Sequence, residues 1–231
     1  MAMKIKLTLK DCGTGAGGFQ PGNTCASGGG GGGSTGGGGT PGGNPAASSP
    51  HTYPDTLAKL AKSGVIETRR DVANNRSTPP ATLALLSKDE DERVRLGVAL
   101  NRSSPPDALA KLSDDGVVEV RGEVARNRST PPRTLLRLSK DKNERVRLGV
   151  ARNPKAQQTT LAKLSDDGVV EVRAGVARNP TTPPRVLLRL SKDWDERVRL
   201  GVAFNPRTPQ SILDKLRDDG TEAVRLAIRG Y

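Results

Sequence analysis

The stretch DGVVEVRAGVARNPTTPPRVLLRL (167–190) decides the fold. It opens on an Asp–Gly turn. Val172, Val176 and Ala177 then fall along one side of a short helix that ends at Asn179. Thr182 and two prolines start a second short helix, in which Leu187 and Leu190 are three apart and share a face. About four aliphatic side chains per unit are too few to fold alone, so such a unit needs neighbours to stack on.

The neighbours are present. Asparagine stands at 75, 101, 127, 153, 179 and 205, each 26 residues after the last, and Tyr231 lies one further step on. A fixed period in this range is the signature of a solenoid. Leucines recur in the same register (Leu57, Leu83, Leu109, Leu135, Leu161, Leu187, Leu213), and again three residues later from Leu60 to Leu216. Valines follow in the second helix from Val72 to Val202, with Ile228 closing the series. The block LAKLSDDGVVEVR (109–121) returns unchanged at 161–173, so two unit types alternate. The expected fold is an all-α, right-handed α-solenoid of seven 26-residue two-helix repeats over residues 53–231.

In residues 78–101, Thr78 is read as a cap, Pro79 as the first helical residue and Asp91 as the cap of the second helix. Asn101 is read as the helix end, in a left-handed conformation. Gly97, Gly149, Gly175 and Gly201 sit mid-helix, where glycine costs about 1 kcal/mol against alanine. Close packing against a neighbouring helix is the expected reason.

Residues 1–52 read differently. Their Gly/Ser/Pro tract, SGGGGGGSTGGGGTPGGNPAASSP (27–50), is a tether with nothing to bury, and the segment is expected to be disordered. Ile5, Leu7 and Leu9 alternate with polar residues, as in a strand that adds to another protein's sheet edge, or a disordered one. Cys12 and Cys25 are too few for a disulfide framework or a four-thiolate metal site. Gly13, Gly15 and Gly18 fit a nucleotide-binding spacing, but no helix follows them. No long apolar run is present, which predicts a soluble, cytoplasmic protein without membrane attachment.

The formal charge is +12. Residues 1–52 hold three lysines and one acid, leaving ten of those charges to the repeats. Such a balance favours acidic partners. The single histidine, His51, lies in the tether, so no acid–base or nucleophilic constellation assembles. No enzyme activity, cofactor, metal or small-molecule substrate is expected.

The pattern D-x4-V-R-x2-V-A-x-N-P-x-T-P-P-x2-L-x2-L resembles the leucine-rich repeat variant family, with HEAT-like repeats as a more distant likeness. The resemblance runs over residues 53–231. It implies a right-handed superhelix of alternating short α- and 3₁₀-type helices. Ser63 departs from it at the turn Asp, and Gln157 and Gln158 depart at the proline pair. The resemblance also points to an N-terminal four-cysteine iron–sulfur module known in one member, but this chain's two cysteines do not match it.

An arginine stands six residues before each asparagine (Arg69, Arg95, Arg121, Arg147, Arg173, Arg199, with Arg225 in the last unit), and an aspartate twelve before it (Asp89, Asp115, Asp141, Asp167, Asp193, Asp219). Bidentate phosphate clamps are one reading. An acid at fixed spacing from every arginine favours the other, a charge-assisted structural ladder. The candidate partner-binding residues are the basic positions that vary. Arg126, Arg152 and Arg178 precede the asparagine, while Arg76, Arg102 and Arg128 follow it. Arg93, Arg145 and Arg197 lie seven residues before the preceding position, as one basic stripe. Trp194, in a turn, is a candidate contact anchor. Phe204 takes a position that is Leu or Arg elsewhere. The leading functional reading is a protein–protein interaction scaffold with an unidentified protein partner. The alternative is non-specific, salt-sensitive binding of nucleic-acid backbone, without aromatic base platforms.

Overall fold

The computed structural model describes residues 42–219 and 221–229. The chain divides into Met1–Gly36 and Gly37–Tyr231, and every described residue belongs to the second unit. The cysteines, the spaced glycines and the amino-terminal alternation lie outside the described residues.

Fifteen α-helices and no strand occur among the described residues. A short α1 (Pro45–Ser48) precedes seven pairs. The first helices are α2 (Pro54–Leu60), α4 (Pro80–Leu86), α6 (Pro106–Leu112), α8 (Pro132–Leu138), α10 (Gln158–Leu164), α12 (Pro184–Leu190) and α14 (Gln210–Asp219). The second helices are α3 (Ile66–Asn74), α5 (Glu92–Leu100), α7 (Val118–Arg126), α9 (Glu144–Arg152), α11 (Val170–Arg178), α13 (Glu196–Ala203) and α15 (Glu222–Arg229). Both members of each pair are α-helical, so the 3₁₀ character that the resemblance implied is absent among the described residues. Consecutive second helices pack along their length, while consecutive first helices touch little. The core is a continuous file of leucines and valines, Leu83, Val98, Leu109, Val124 and their equivalents, fully removed from water. In α14, Ile212 is buried and Leu213 only partly so.

Proline sets α4 one residue later than the sequence suggested. Pro79 is extended and Pro80 takes the first helical position, where a missing N–H costs nothing. The hydroxyl of Thr78 does not cap this helix. It donates to the Val72 carbonyl (2.6 Å) at the end of the preceding helix, and Ser104, Thr130, Thr182 and Thr208 repeat that bond. Asp91, Asn143 and Asp195 cap α5, α9 and α13 through their side chains, whereas α7 and α11 start after valine without one. That difference is the structural form of the two alternating unit types.

The asparagines are not left-handed helix ends. Asn101 has φ −72° and ψ 123°, an extended conformation. Its side-chain amide reaches back one unit and donates to the carbonyls of Ala73 (2.8 Å) and Asn75 (2.9 Å). Its Oδ1 accepts the N–H of Ser103. The same bonds join Asn127 to Ala99 and Asn101, Asn153 to Ala125 and Asn127, and so on to Asn205. The alanine carbonyl follows the last intrahelical bond and lies buried, so without this donor it would be an orphan, whereas the asparagine carbonyl also accepts the N–H three residues on. The ladder also occupies the amide nitrogens of the three N-x-S/T sites at Asn75, Asn101 and Asn127.

Asn75 makes its bonds to Ala47 and Ser49. Residues 44–52, read from sequence as part of a disordered tether, therefore belong to the stack. Asn44 caps α1, Ala47 is buried, and Thr52 donates to the Ala46 carbonyl as Thr78 does to Val72. The segment is a half-unit that covers the open face of the first pair.

Gly97, Gly149 and Gly201 mark close approach of second helices. A Cβ on Gly149 would stand 2.8 Å from the Ala125 Cβ and 3.2 Å from the Gly122 carbonyl oxygen. One unit is chemically weaker than the rest. Ala156 stands where the other units place the donating Thr or Ser, Gln157 and Gln158 replace the prolines, and the buried Thr160 hydroxyl has no partner.

Candidate partner-binding surface

The recurring arginines point along the turns. Arg147 Nε and Nη2 donate to the Asp167 carboxylate of the next unit (2.6 and 3.1 Å). Its Nη1 donates to the carbonyls of Asp141 and Lys142 in its own unit (2.8 and 3.0 Å). Arg69–Asp89, Arg95–Asp115, Arg121–Asp141 and Arg173–Asp193 repeat the bidentate pairing. Each Asp also accepts the backbone N–H two residues on, as Asp167 does from Val169 (2.9 Å). Arg199 donates to the Asp193 and Trp194 carbonyls; the side chain of Asp219 lies outside the described residues. At the first turn Ser63 replaces aspartate, and its hydroxyl accepts the Val65 N–H.

Burial raises the pKa of these carboxyls. The arginine and turn N–H hydrogen bonds more than offset it, so Asp89, Asp115, Asp141, Asp167 and Asp193 all lie below the ordinary carboxylate value. In Arg69, Arg95, Arg121, Arg147 and Arg173 the Nε–Nη2 edge that would grip a phosphate is thereby occupied by a carboxylate.

The variable positions lie on the outward face of the second helices. Three columns run across it, one residue per helix, at the spacing i, i+3, i+7 that shares a helix face. The first column reads Glu67, Arg93, Glu119, Arg145, Glu171, Arg197. The expected basic stripe is therefore corrected at this column: its arginines alternate with glutamates. Arg93 pairs with Asp91 (3.2 Å) and approaches Glu67 (3.8 Å), and Arg197 pairs with Glu171 (2.7 Å) and Asp195 (3.1 Å). Arg145 is exposed, with no carboxylate partner among the described residues. The second column reads Arg70, Leu96, Gly122, Leu148, Ala174, Leu200, so from Leu96 on large and small residues alternate. The third reads Asn74, Leu100, Arg126, Arg152, Arg178, Phe204, and all are exposed.

Within this third column the arginines differ. Arg126 Nη1 bonds Glu123 (2.6 Å). Gly149 and Gly175 stand where Glu123 stands in their units, and among the described residues no carboxylate pairs with Arg152 or Arg178. Leu100 and Phe204, about half exposed, flank the three arginines. Leu96, Leu100, Val118, Glu119, Gly122, Glu123, Arg126 and Arg145 line a groove with Gly122 at its floor. Sequence reading missed this groove. Its signal is present: Gly122 falls in the register of Leu96 and Leu148.

Trp194 is 77% exposed, and its ring lies under the guanidinium of Arg173 (5.4 Å from carbon to ring centre). It thus covers the Arg173–Asp193 pair at the turn edge. Among the described residues, no cluster of three or more His, Cys, Asp or Glu is placed to hold a metal ion, and no helix is long and apolar enough to cross a membrane.

This architecture defines the class: a helical-repeat solenoid whose units are joined by Arg–Asp, asparagine and threonine bonds. The family described as leucine rich repeat variant matches residues 170–195. A solved structure described as a leucine-rich repeat variant with a novel repetitive protein structural motif is similar to it. The two are 31% identical, over 78% of this chain and 72% of that one, with a TM-score of 0.57. The chain belongs to the leucine-rich repeat variant family. An engineered protein (19% identity, 76% of this chain, 93% of that one, TM-score 0.38) is a looser likeness. So is a designed armadillo repeat protein in complex with the peptide (KR)4 (17%, 76%, 79%, TM-score 0.29). A search of curated proteins finds no match.

Proposed function

We propose that the chain is a non-catalytic scaffold that docks an extended segment of a protein partner across its second helices. One observation carries this reading. The recurring Arg, Asp and Asn side chains are taken up by bonds within the stack, while the exposed third column is not fixed: Asn74 and Leu100 precede the arginines Arg126, Arg152 and Arg178, and Phe204 follows them. Apolar residues flanking unpaired arginines suit a partner with both acidic and apolar side chains.

The nucleic-acid alternative is less well supported. A phosphate backbone laid along the solenoid would meet Glu119 and Glu171 in the first column beside the arginines of the third. An array of acidic peptides, probed with the intact chain and with Arg152→Glu/Arg178→Glu, tests the proposal. The expected result is binding at physiological salt that the double variant loses, with labelled duplex DNA retained only at low salt. Tight duplex binding at physiological salt, with no acidic peptide retained, would instead favour the alternative.

A further inference from the structure

We infer that the Gly122 groove, Arg152, Arg178 and the Leu200/Phe204 edge form one track for an acidic segment in the polyproline II conformation. The inference rests on the scaffold reading above and adds the spacing and conformation of the segment.

The groove end takes an apolar side chain. Leu96, Leu100 and Val118 form its walls, and its charges, Glu119 and Glu123 against Arg126 and Arg145, balance one another. One unit on stands Arg152, and two units on Arg178, neither with a carboxylate partner among the described residues. Three units on, Leu200 and Phe204 close the track with apolar surface. The ligand must therefore present apolar, acidic, acidic and apolar side chains at the inter-unit spacing.

That spacing selects a conformation. Packed helices lie about 8–10 Å apart. The near contact between Gly149 and Ala125 holds these second helices together without a large side chain between them. A polyproline II chain has three residues per turn and a rise of about 3.1 Å per residue, so every third side chain points the same way at about 9 Å intervals. A β-strand advances as far in three residues but turns every third side chain to the opposite face. An α-helix needs about six residues to cover the distance, and residues six apart do not share a face. The ligand is thus an acidic, proline-compatible segment of the form apolar-x-x-acid-x-x-acid-x-x-apolar.

Two labelled peptides of one composition test this, Leu-Pro-Pro-Glu-Pro-Pro-Glu-Pro-Pro-Leu and Leu-Pro-Pro-Glu-Glu-Pro-Pro-Pro-Pro-Leu, titrated by fluorescence anisotropy against the intact chain. The first is expected to bind at least about tenfold more tightly, since each misplaced acid forfeits a charge-assisted hydrogen bond. Gly122→Leu fills the groove. A Cβ there meets only Arg126 Nη1, at 3.7 Å, so the variant is expected to fold and melt no lower than the parent. It is expected to bind the first peptide about tenfold more weakly, as the apolar anchor loses its pocket. Equal binding of the two peptides, or unchanged affinity in Gly122→Leu, overturns the track. If acidic peptides of other spacings still bind and Arg152→Glu/Arg178→Glu abolishes it, the track falls and the scaffold reading stands. If no acidic peptide of any spacing binds, both fall.

Discussion

Replacing Asn153 with alanine isolates the asparagine ladder. The side chain donates to Ala125 O (2.7 Å) and Asn127 O (3.0 Å) and accepts from the Lys155 N–H (2.9 Å). Asn127 O keeps the Thr130 N–H (3.1 Å), but Ala125 O has Asn153 as its donor and sits in a residue wholly removed from water. Two net hydrogen bonds at about 1 kcal/mol each, plus about 1 kcal/mol or more for the orphaned carbonyl, give a cost near 3 kcal/mol. For a domain of this size that lowers Tm by about 6–12 °C. Because each unit contacts only its neighbours, loss of amide protection should concentrate at the α7–α9 junction, readable by hydrogen exchange. Asn153→Asp separates donor loss from shape. It keeps the acceptor for Lys155 but aims a carboxylate at two carbonyl oxygens. The folded-state pKa of that carboxyl is then raised, so its contribution is present at low pH and is lost as pH rises through the folded value. Asn153→Asp should therefore be less stable than Asn153→Ala at pH 7 and gain on it toward pH 5. Circular dichroism melts read both. A cost for Asn153→Ala below about 0.5 kcal/mol, small against one net hydrogen bond, would refute the ladder's role. Identical pH profiles for the two variants would do the same.

Arg147→Ala leaves the Asp167 carboxylate with the Val169 N–H alone, and should cost about 2–4 kcal/mol in urea unfolding, somewhat less than for a fully buried pair. Unchanged stability would show the pairing to be incidental. Thr160→Val removes the unpartnered hydroxyl and copies Val186 of a neighbouring unit, so it should raise stability by about 1 kcal/mol, and a loss of stability would mean the hydroxyl has a partner in solution. The lowered pKa of the five ladder aspartates makes their contribution fully present above the unfolded carboxylate value of about 4 and lost as pH falls through the folded values. Tm should be level across neutral pH and drop in the acid range below about pH 4, and a drop already at pH 6 would point to other groups. Gly149→Ala should destabilise by about 1–3 kcal/mol through its contact with Ala125, whereas Gly122→Ala should stabilise by up to about 1 kcal/mol, both measured by thermal melting.

Single-chain periodicity made the leucines and valines legible, because a 26-residue register repeats the same burial in every copy. Asn101 was misread for the opposite reason. The local rule for asparagine at a helix end is a left-handed conformation, but its bonds run to the unit 26 and 28 residues earlier, beyond any local rule. The half-unit at 44–52 was hidden by the glycines before it and by Ser49 in the asparagine place, although AASSPHTYP (46–54) follows VANNRSTPP (72–80) in register. Basic residues were countable in sequence, but not their pairing. Arg126 and Arg152 hold equivalent places, and only the residue three earlier, Glu123 or Gly149, decides whether a carboxylate is within reach.

Gly149 and Gly122 show how fold and function divide this surface. Both sit inside a second helix, where glycine is costly by about 1 kcal/mol. At 149 the neighbouring Ala125 leaves no room for a Cβ, so close helix packing offsets the cost. At 122 a Cβ would meet nothing nearer than a flexible guanidinium 3.7 Å away, and the equivalent places in the adjacent units carry Leu96 and Leu148. Nothing in the packing asks for glycine there. What its absence of side chain does provide is the floor of the groove, the place that the proposed track assigns to the ligand's first apolar side chain.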